Sequence, residues 1–206
     1  MAPHIIHVID DDPALRDSMT AVLTGAGYAC NAYGSAAEFL AADTQVVHGC
    51  AVVDVRMPEM DGLALLREMA ARGIELPVII MTGFADVPLA VRAMKAGAVD
   101  FIEKPCPPKD LLASVERALA YVKPHKADER ERLAALQRFE RLTQRERDVL
   151  ELLVVGDPNK IVAHKLGISP RTVEIHRGRL MEKAQAGSLA ELVRMALAAG
   201  IARRDG

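Results

Sequence analysis

The chain has no tryptophan, and aromatic residues make up only 3% of its 206 positions. Its core must therefore be aliphatic, built from Leu, Val, Ile, Ala and Met. It also lacks any uninterrupted apolar run approaching the ~18 residues that a membrane-spanning helix needs, so no such helix and no membrane partner is expected. The opening "MAPHIIHVIDDD" has no basic lead and meets aspartates after a few apolar residues, which does not read as a secretory signal. Cysteine is scarce as well. Cys30, Cys50 and Cys106 are far apart and in no CxxC spacing, poor material for a disulfide framework or a zinc site. These absences describe a cytoplasmic protein with incidental thiols.

What is present divides in two. Residues 1–122 carry 9 Lys and Arg against 16 Asp and Glu, whereas residues 123–206 carry 17 against 12. An acidic half followed by a basic half implies two jobs, with the basic one a candidate for nucleic acid. In the first half, short apolar runs recur at 5–9 ("IIHVI"), 28–33 ("YACNAY"), 50–54 ("CAVVD"), 77–81 ("PVIIM") and 99–103 ("VDFIE"). Helical patterns separate them, such as Leu15, Met19, Val22 and Leu23. Strands alternating with helices predict a five-stranded parallel sheet, doubly wound, with helices on both faces. From Thr143 onward the patterns are helical only, over 143–155, 158–166, 169–184 and 188–200.

Ligands of open parallel sheets bind where the strands end at their carboxyl termini. Here those ends carry Asp10, Asp11 and Asp12 after the first run, Asp54 after the third, Thr82 and Gly83 after the fourth, and Lys104 and Pro105 after the fifth. Any one such aspartate is more often a turn or helix cap, and Asp12-Pro13 has that form. The whole set, on different strands of one sheet, points instead to a common pocket. Clustered carboxylates raise one another's pKa unless a cation intervenes, and hard oxygen donors suit Mg²⁺. An ionised Asp54 is then a credible nucleophile toward phosphorus, with Lys104 and the Thr82 hydroxyl placed to hold the transferred oxygens.

The stretches "VIDDD", "DVRMPEMDG", "VIIMTG" and "DFIEKP" resemble the receiver domain of two-component response regulators, over residues 4 to about 121. The resemblance implies a flavodoxin-like sheet with Asp54 as phosphoacceptor. It also implies Mg²⁺ held by Asp10, Asp11, Asp54 and the backbone carbonyl of Arg56. Thr82 and Lys104 become switch residues, and Phe101 takes the place of the aromatic switch. The run "DVPLAVRAMKAGAVDFIEKP" is especially similar to the FixJ-type branch, in which phosphorylation promotes dimerisation. That carries over Val91, Arg92, Lys95 and Asp100 as the dimer surface. Phe84-Ala85 and Cys106 depart from the branch's usual residues beside the pocket.

In the basic half, Thr143 with Glu146 has the form of a capping box, and Ser169-Pro170 that of an N-cap followed by proline at the first helical position. "VAHKLGISPRTVEIH" has a helix-turn-helix shape, turning at Gly167. In the second helix Val173, Leu180 and Met181 are the expected core positions, leaving Arg171, Glu174, Arg177 and Arg179 for a face that a major groove can take. The segment is similar to the LuxR-type DNA-binding domain, a small all-α four-helix unit. That similarity implies backbone contacts by Lys160, Arg171, Thr172 and Arg177, and base reading by Glu174 and Ile175. It also implies dimerisation through 188–200, with Leu189, Leu192, Val193 and Leu197.

The expected organisation is a receiver over 1–122, a solvated linker helix over 123–142 and the DNA-binding domain over 143–206. The expected function is that of a FixJ-type response regulator, phosphorylated by a cognate sensor histidine kinase. The phosphorylated homodimer would bind a two-part promoter site and meet RNA polymerase there. Two rivals exist: a phosphohydrolase using an aspartyl phosphate, and a DNA binder with a vestigial receiver. Arg56 stands where the first would need a second catalytic carboxylate, and the complete pocket set argues against the second.

Overall fold

A computed structural model of the chain describes residues 4–42, 49–83, 87–121 and 129–201. By packing, the chain divides into two units, one of residues 1–85 and 95–122, the other of residues 86–94 and 123–206.

The first unit holds five strands, β1 (Ile5–Ile9), β2 (Ala29–Tyr33), β3 (Gly49–Asp54), β4 (Val78–Thr82) and β5 (Asp100–Glu103). All are parallel, in the order β2-β1-β3-β4-β5. This is the doubly wound sheet expected from the sequence. The chain steps outward from β1 to β2 and then crosses back to β3, so the order reverses between β1 and β3. That reversal opens a crevice at their carboxyl ends. Alternation along each strand fills both faces: Ile6, Val8, Cys50, Val52, Ile79 and Met81 pack with α1 (Pro13–Gly25) and α5 (Pro108–Leu119). On β1 and β3 the residues between them, His7, Ile9, Ala51 and Val53, are buried as well. Strands covered on both faces read as near-continuous apolar runs, which is why they were legible. Only β2, at the edge, is largely exposed.

Three helix starts in this unit are fixed by side chains. Asp12 caps α1, accepting from the N–H groups of Ala14 and Leu15, and Ser35 caps α2 (Ala36–Ala41). Asp61 caps α3 (Gly62–Ala71), whose first residue must be glycine: a Cβ on Gly62 would lie 2.3 Å from the carbonyl oxygen of Asp54. The Asp-Gly of "RMPEMDG" thus folds the loop back against the end of β3. Helix α4 (Val87–Lys95) follows β4 in the chain, and all of it but Lys95 belongs to the second unit.

The other described elements of the second unit are helices: α6 (Glu129–Glu140), α7 (Gln144–Val155), α8 (Asn159–Leu166), α9 (Pro170–Ala184) and α10 (Leu189–Ala198). The Thr143–Glu146 capping box is fully formed. Gly156, Gly167 and Gln185 end α7, α8 and α9 in the left-handed conformation, the usual way to close a helix. Val149, Leu150, Leu153, Val162, Val173, Leu180, Leu192 and Val193 form the core, while Met181 is only half-buried.

Here the linker reading needs correction. Helix α6 packs on α9 and α10, and its Ala135 and Phe139 are buried together with Leu142. Leu133 is exposed and Leu136 half-buried, so the inward face of α6 runs through Ala135 and Phe139. The charge run at 128–132 masked an apolar second half. Residues 123–128 lie outside the described residues.

Candidate functional site

In the first unit, three strand ends bring their polar residues together. Asp10 follows β1 directly, Asp54 closes β3, and Lys104 follows β5. The Lys104 ammonium lies 2.5 Å from Asp10 Oδ2 and 2.6 Å from Asp54 Oδ1, bridging the two carboxylates. Asp10 is 1% exposed and Asp54 7%. Each carboxylate is also held by backbone. Asp54 Oδ2 accepts from the N–H of Arg56 at 2.7 Å, and Asp10 Oδ1 from that of Asp12 at 3.0 Å. Thr82 is buried at the end of β4, the strand between β3 and β5. Phe101 is half-buried on β5.

Electrostatics at this spot are balanced by one cation against two anions. Burial pushes the Asp54 carboxyl above its ordinary value; Lys104 and the Arg56 N–H pull it down, and the charge of Asp10 adds to the rise. For Lys104, burial alone disfavours the ammonium, yet the two carboxylates outweigh it and hold its pKa above the ordinary value. Asp54 is therefore held in place, largely removed from water and paired with a cation.

Not every expected residue joins the cluster. Asp11 is exposed, and among the described residues no three His, Cys, Asp or Glu side chains come together as a ready metal-ligand set. Asp10 and Asp54 do meet, and one or two carboxylates plus phosphate and water is what Mg²⁺ typically takes, so the donor chemistry fits. Arg56 presents its N–H to Asp54. Sequence reasoning missed Arg16, whose guanidinium donates to the Asp10 carbonyl at 2.6 Å and ties the acidic loop to α1. Its only signal was an arginine one turn after the Asp12 cap. Phe84 and Ala85 lie outside the described residues; Cys106 is half-buried.

The expected dimer surface also needs correction. Asp100 is 4% exposed, its Oδ2 accepting from Ser114 Oγ at 2.8 Å and from Arg117, while its Oδ1 takes the N–H of Phe101. A carboxylate so satisfied is an internal anchor between β5 and α5. Val91 is buried too, leaving Arg92 and Lys95 exposed.

In the second unit, α8 and α9 meet at the Gly167 turn with Ser169 capping α9. Lys160, Arg171, Glu174, Ile175 and Arg179 are exposed; Arg177 and Thr172 are half-buried. Thr172 shares its hydroxyl with Ser169 Oγ at 2.8 Å, so it serves the cap as well. Half of Ile175 is open to solvent. An exposed isoleucine among charged neighbours, on a helix whose Val173 and Leu180 fill the core, suits a contact surface. Arg145 was missed: it donates to the Leu166 carbonyl at 2.6 Å, fastening α7 to the end of α8.

Comparison with known proteins agrees with both units. The response regulator receiver domain family matches residues 6–116, and the luxR family of bacterial regulatory proteins matches residues 140–196. The transcriptional regulatory protein FixJ of Azorhizobium caulinodans is 50% identical over 200 residues, 97% of this chain and 95% of the relative. FixJ of Rhizobium meliloti is 46% identical over 200 residues, covering 97% and 98% of the two chains. Among solved structures, full-length FixJ from B. japonicum shares 45% identity, covering 96% of this chain and 98% of its own, with a TM-score of 0.55. No described helix is long and apolar enough to cross a membrane. The chain belongs to the FixJ-type response regulators of two-component systems, transcription regulators that join a receiver to a LuxR-type DNA-binding domain.

Proposed function

We propose that Asp54 accepts a phosphoryl group from a cognate sensor histidine kinase in the cytoplasm. An Asp54 oxygen attacks phosphorus; the new P–O bond forms as the kinase's P–N bond breaks, and the departing imidazole takes up a proton. The observation that carries this reading is the Lys104 ammonium bridging Asp10 and Asp54 at adjoining strand ends. The bridge holds the nucleophile in place and supplies a cation for the transferred oxygens, and Thr82 adds a hydroxyl. Asp10 and Asp54, with Asp11 and the Arg56 carbonyl nearby in the chain, would hold Mg²⁺, which supplies Lewis-acid neutralisation of phosphoryl charge.

Phosphorylation then favours a homodimer, to which the exposed Arg92 and Lys95 contribute. The second unit binds a two-part promoter site, α9 entering the major groove and RNA polymerase being met there. Lys160, Arg171, Thr172 and Arg177 hold phosphates; Glu174 accepts from a cytosine amino group and Ile175 touches a thymine methyl. Moving such a switch from 1:99 to 99:1 needs about 5.5 kcal/mol of differential stabilisation.

Intact mass after incubation with acetyl phosphate, with and without Mg²⁺, tests the chemistry. One Mg²⁺-dependent phosphoryl addition is expected, absent from Asp54→Ala. An addition that persists in Asp54→Ala overturns the assignment.

A further inference from the structure

Helix α9 contains Gly178, the one glycine in the interior of any described helix. Glycine there is among the costliest helical choices, because its backbone loses the most freedom on folding. Packing within the protein does not require it. A Cβ built on Gly178 meets nothing within 4 Å, and the position is exposed. Nor is the backbone unusual, since Gly178 is absent from the residues of positive φ. Gly62 offers the contrast: there a Cβ would strike the Asp54 carbonyl, so the fold itself demands glycine.

What surrounds Gly178 on the helix suggests what does demand it. It follows Glu174 by four residues and Ile175 by three, so at about 3.6 residues per turn it lies between them, one turn on. Arg171 stands on the same line one turn before those two. Its chain neighbours Arg177 and Arg179 project about 100° to either side. The exposed face of α9 is therefore a stripe of Arg171, Glu174 and Ile175 that runs into a side-chain-free notch, flanked by two guanidinium groups.

We propose that Gly178 is a specificity determinant of DNA binding, kept side-chain-free so that a base-pair edge can seat between Arg177 and Arg179. The proposal rests on the reading of α9 as the recognition helix. The two arginines take phosphates on either side while the helix backbone at 178 comes close to the floor of the groove. Any side chain at 178 holds the helix backbone off the groove floor and weakens the contacts of Glu174 and Ile175, while the long side chains of Arg177 and Arg179 still reach phosphate. Because the notch offers no side-chain group, it selects for depth of approach, and the base pair beneath it is discriminated by shape.

The test uses the full-length chain, incubated with acetyl phosphate and Mg²⁺, and duplexes that the unaltered chain selects from a randomised pool. Gly178→Ala should raise the Tm of the helical unit by roughly 4 °C. The same variant should bind the selected duplexes about 10-fold more weakly. The slope of log affinity against log salt should stay unchanged, since phosphate contacts survive. A gain in stability with a loss in binding is a combination that misfolding cannot produce. Arg171→Ala serves as the reference, weakening binding and flattening the salt slope. If Arg171→Ala behaves so while Gly178→Ala binds as tightly as the unaltered chain, the notch is overturned and the recognition helix stands. If neither variant alters binding, the assignment of α9 to DNA fails, and the notch with it.

Discussion

The acidic residues at the ends of β1 and β3 and the basic residues of α8 and α9 are held in opposite ways. Asp10 and Asp54 are almost wholly buried, tied to Lys104 and to backbone N–H groups before any phosphate arrives. Lys160, Arg171 and Arg179 stand exposed. On the proposed function, the difference follows from the size of what each site meets. A phosphoryl group is small, so its pocket must be preorganised and partly dry for each dipole to count. A DNA duplex covers a broad face and brings its own charge, so loosely held cations suffice, and burying them early would only add a desolvation cost.

The sharpest way to break this comparison is to remove the cation that serves the inward site. Lys104→Met leaves two buried carboxylates facing each other, and should destabilise the first unit by about 3 kcal/mol near neutral pH. The loss should shrink in acid, as Asp54 protonates. Tyr28, Tyr33 and Tyr121 are the chain's only tyrosines and there is no tryptophan, so tyrosine fluorescence in a urea titration reads this unit alone. No destabilisation would mean that the bridge is a surface pairing of little consequence.

Among the described residues of the second unit Glu146 is a buried charge, and it tests whether burial or location sets the behaviour. Glu146 is 2% exposed; its Oε2 accepts from Lys183 Nζ at 2.7 Å and from the Thr143 N–H at 2.8 Å. Burial favours the neutral acid, but Lys183 and the Thr143 donors outweigh it and hold the carboxyl below its ordinary value. A depressed acid contributes stability that is present above its unfolded value near 4.5 and is lost as pH falls through the lower folded value. Glu146→Gln should cost about 2 kcal/mol at neutral pH. Followed by far-ultraviolet circular dichroism, its melting should converge with that of the unaltered chain only in acid.

Asp54 reverses that sign. Its folded pKa lies above the ordinary 3.8, so ionising it opposes folding, and stability declines as pH rises from the unfolded value through the folded one. Asp54→Asn should therefore stabilise the first unit at neutral pH by less than the loss in Lys104→Met, and the gain should vanish below about pH 4. A destabilised variant would show Lys104 to dominate the site.

How much of this was legible beforehand depended on whether the signal was local. The strands were plain because a sheet covered on both faces needs unbroken apolar runs, and the residues that end them had to lie at the carboxyl edge. The meeting of Asp10, Asp54 and Lys104 depends on strand order, which the alternation of strands and helices leaves open and the fold supplies. Asp100 was misread because its burial depends on Ser114 and Arg117, a helix away, and nothing at position 100 announces them. The packing of α6 was hidden by the charges preceding it, and Arg16 by its ordinary place on a helix. At Gly178 the letter was visible, but the open space above it was not.

The smallest expected effect on stability belongs to the outward charges. Lys160→Ala and Arg171→Ala remove exposed side chains, so each should shift unfolding by no more than about 0.5 kcal/mol. Their weight should appear only with DNA: each lost phosphate contact should reduce the salt slope of log affinity by about 1. Lys104→Met would do the reverse, lowering stability while leaving that slope alone in the fraction still folded. If Lys160→Ala or Arg171→Ala instead unfolded the helical unit, these residues would be structural, and the division between charges kept for the fold and charges kept for a partner would not hold.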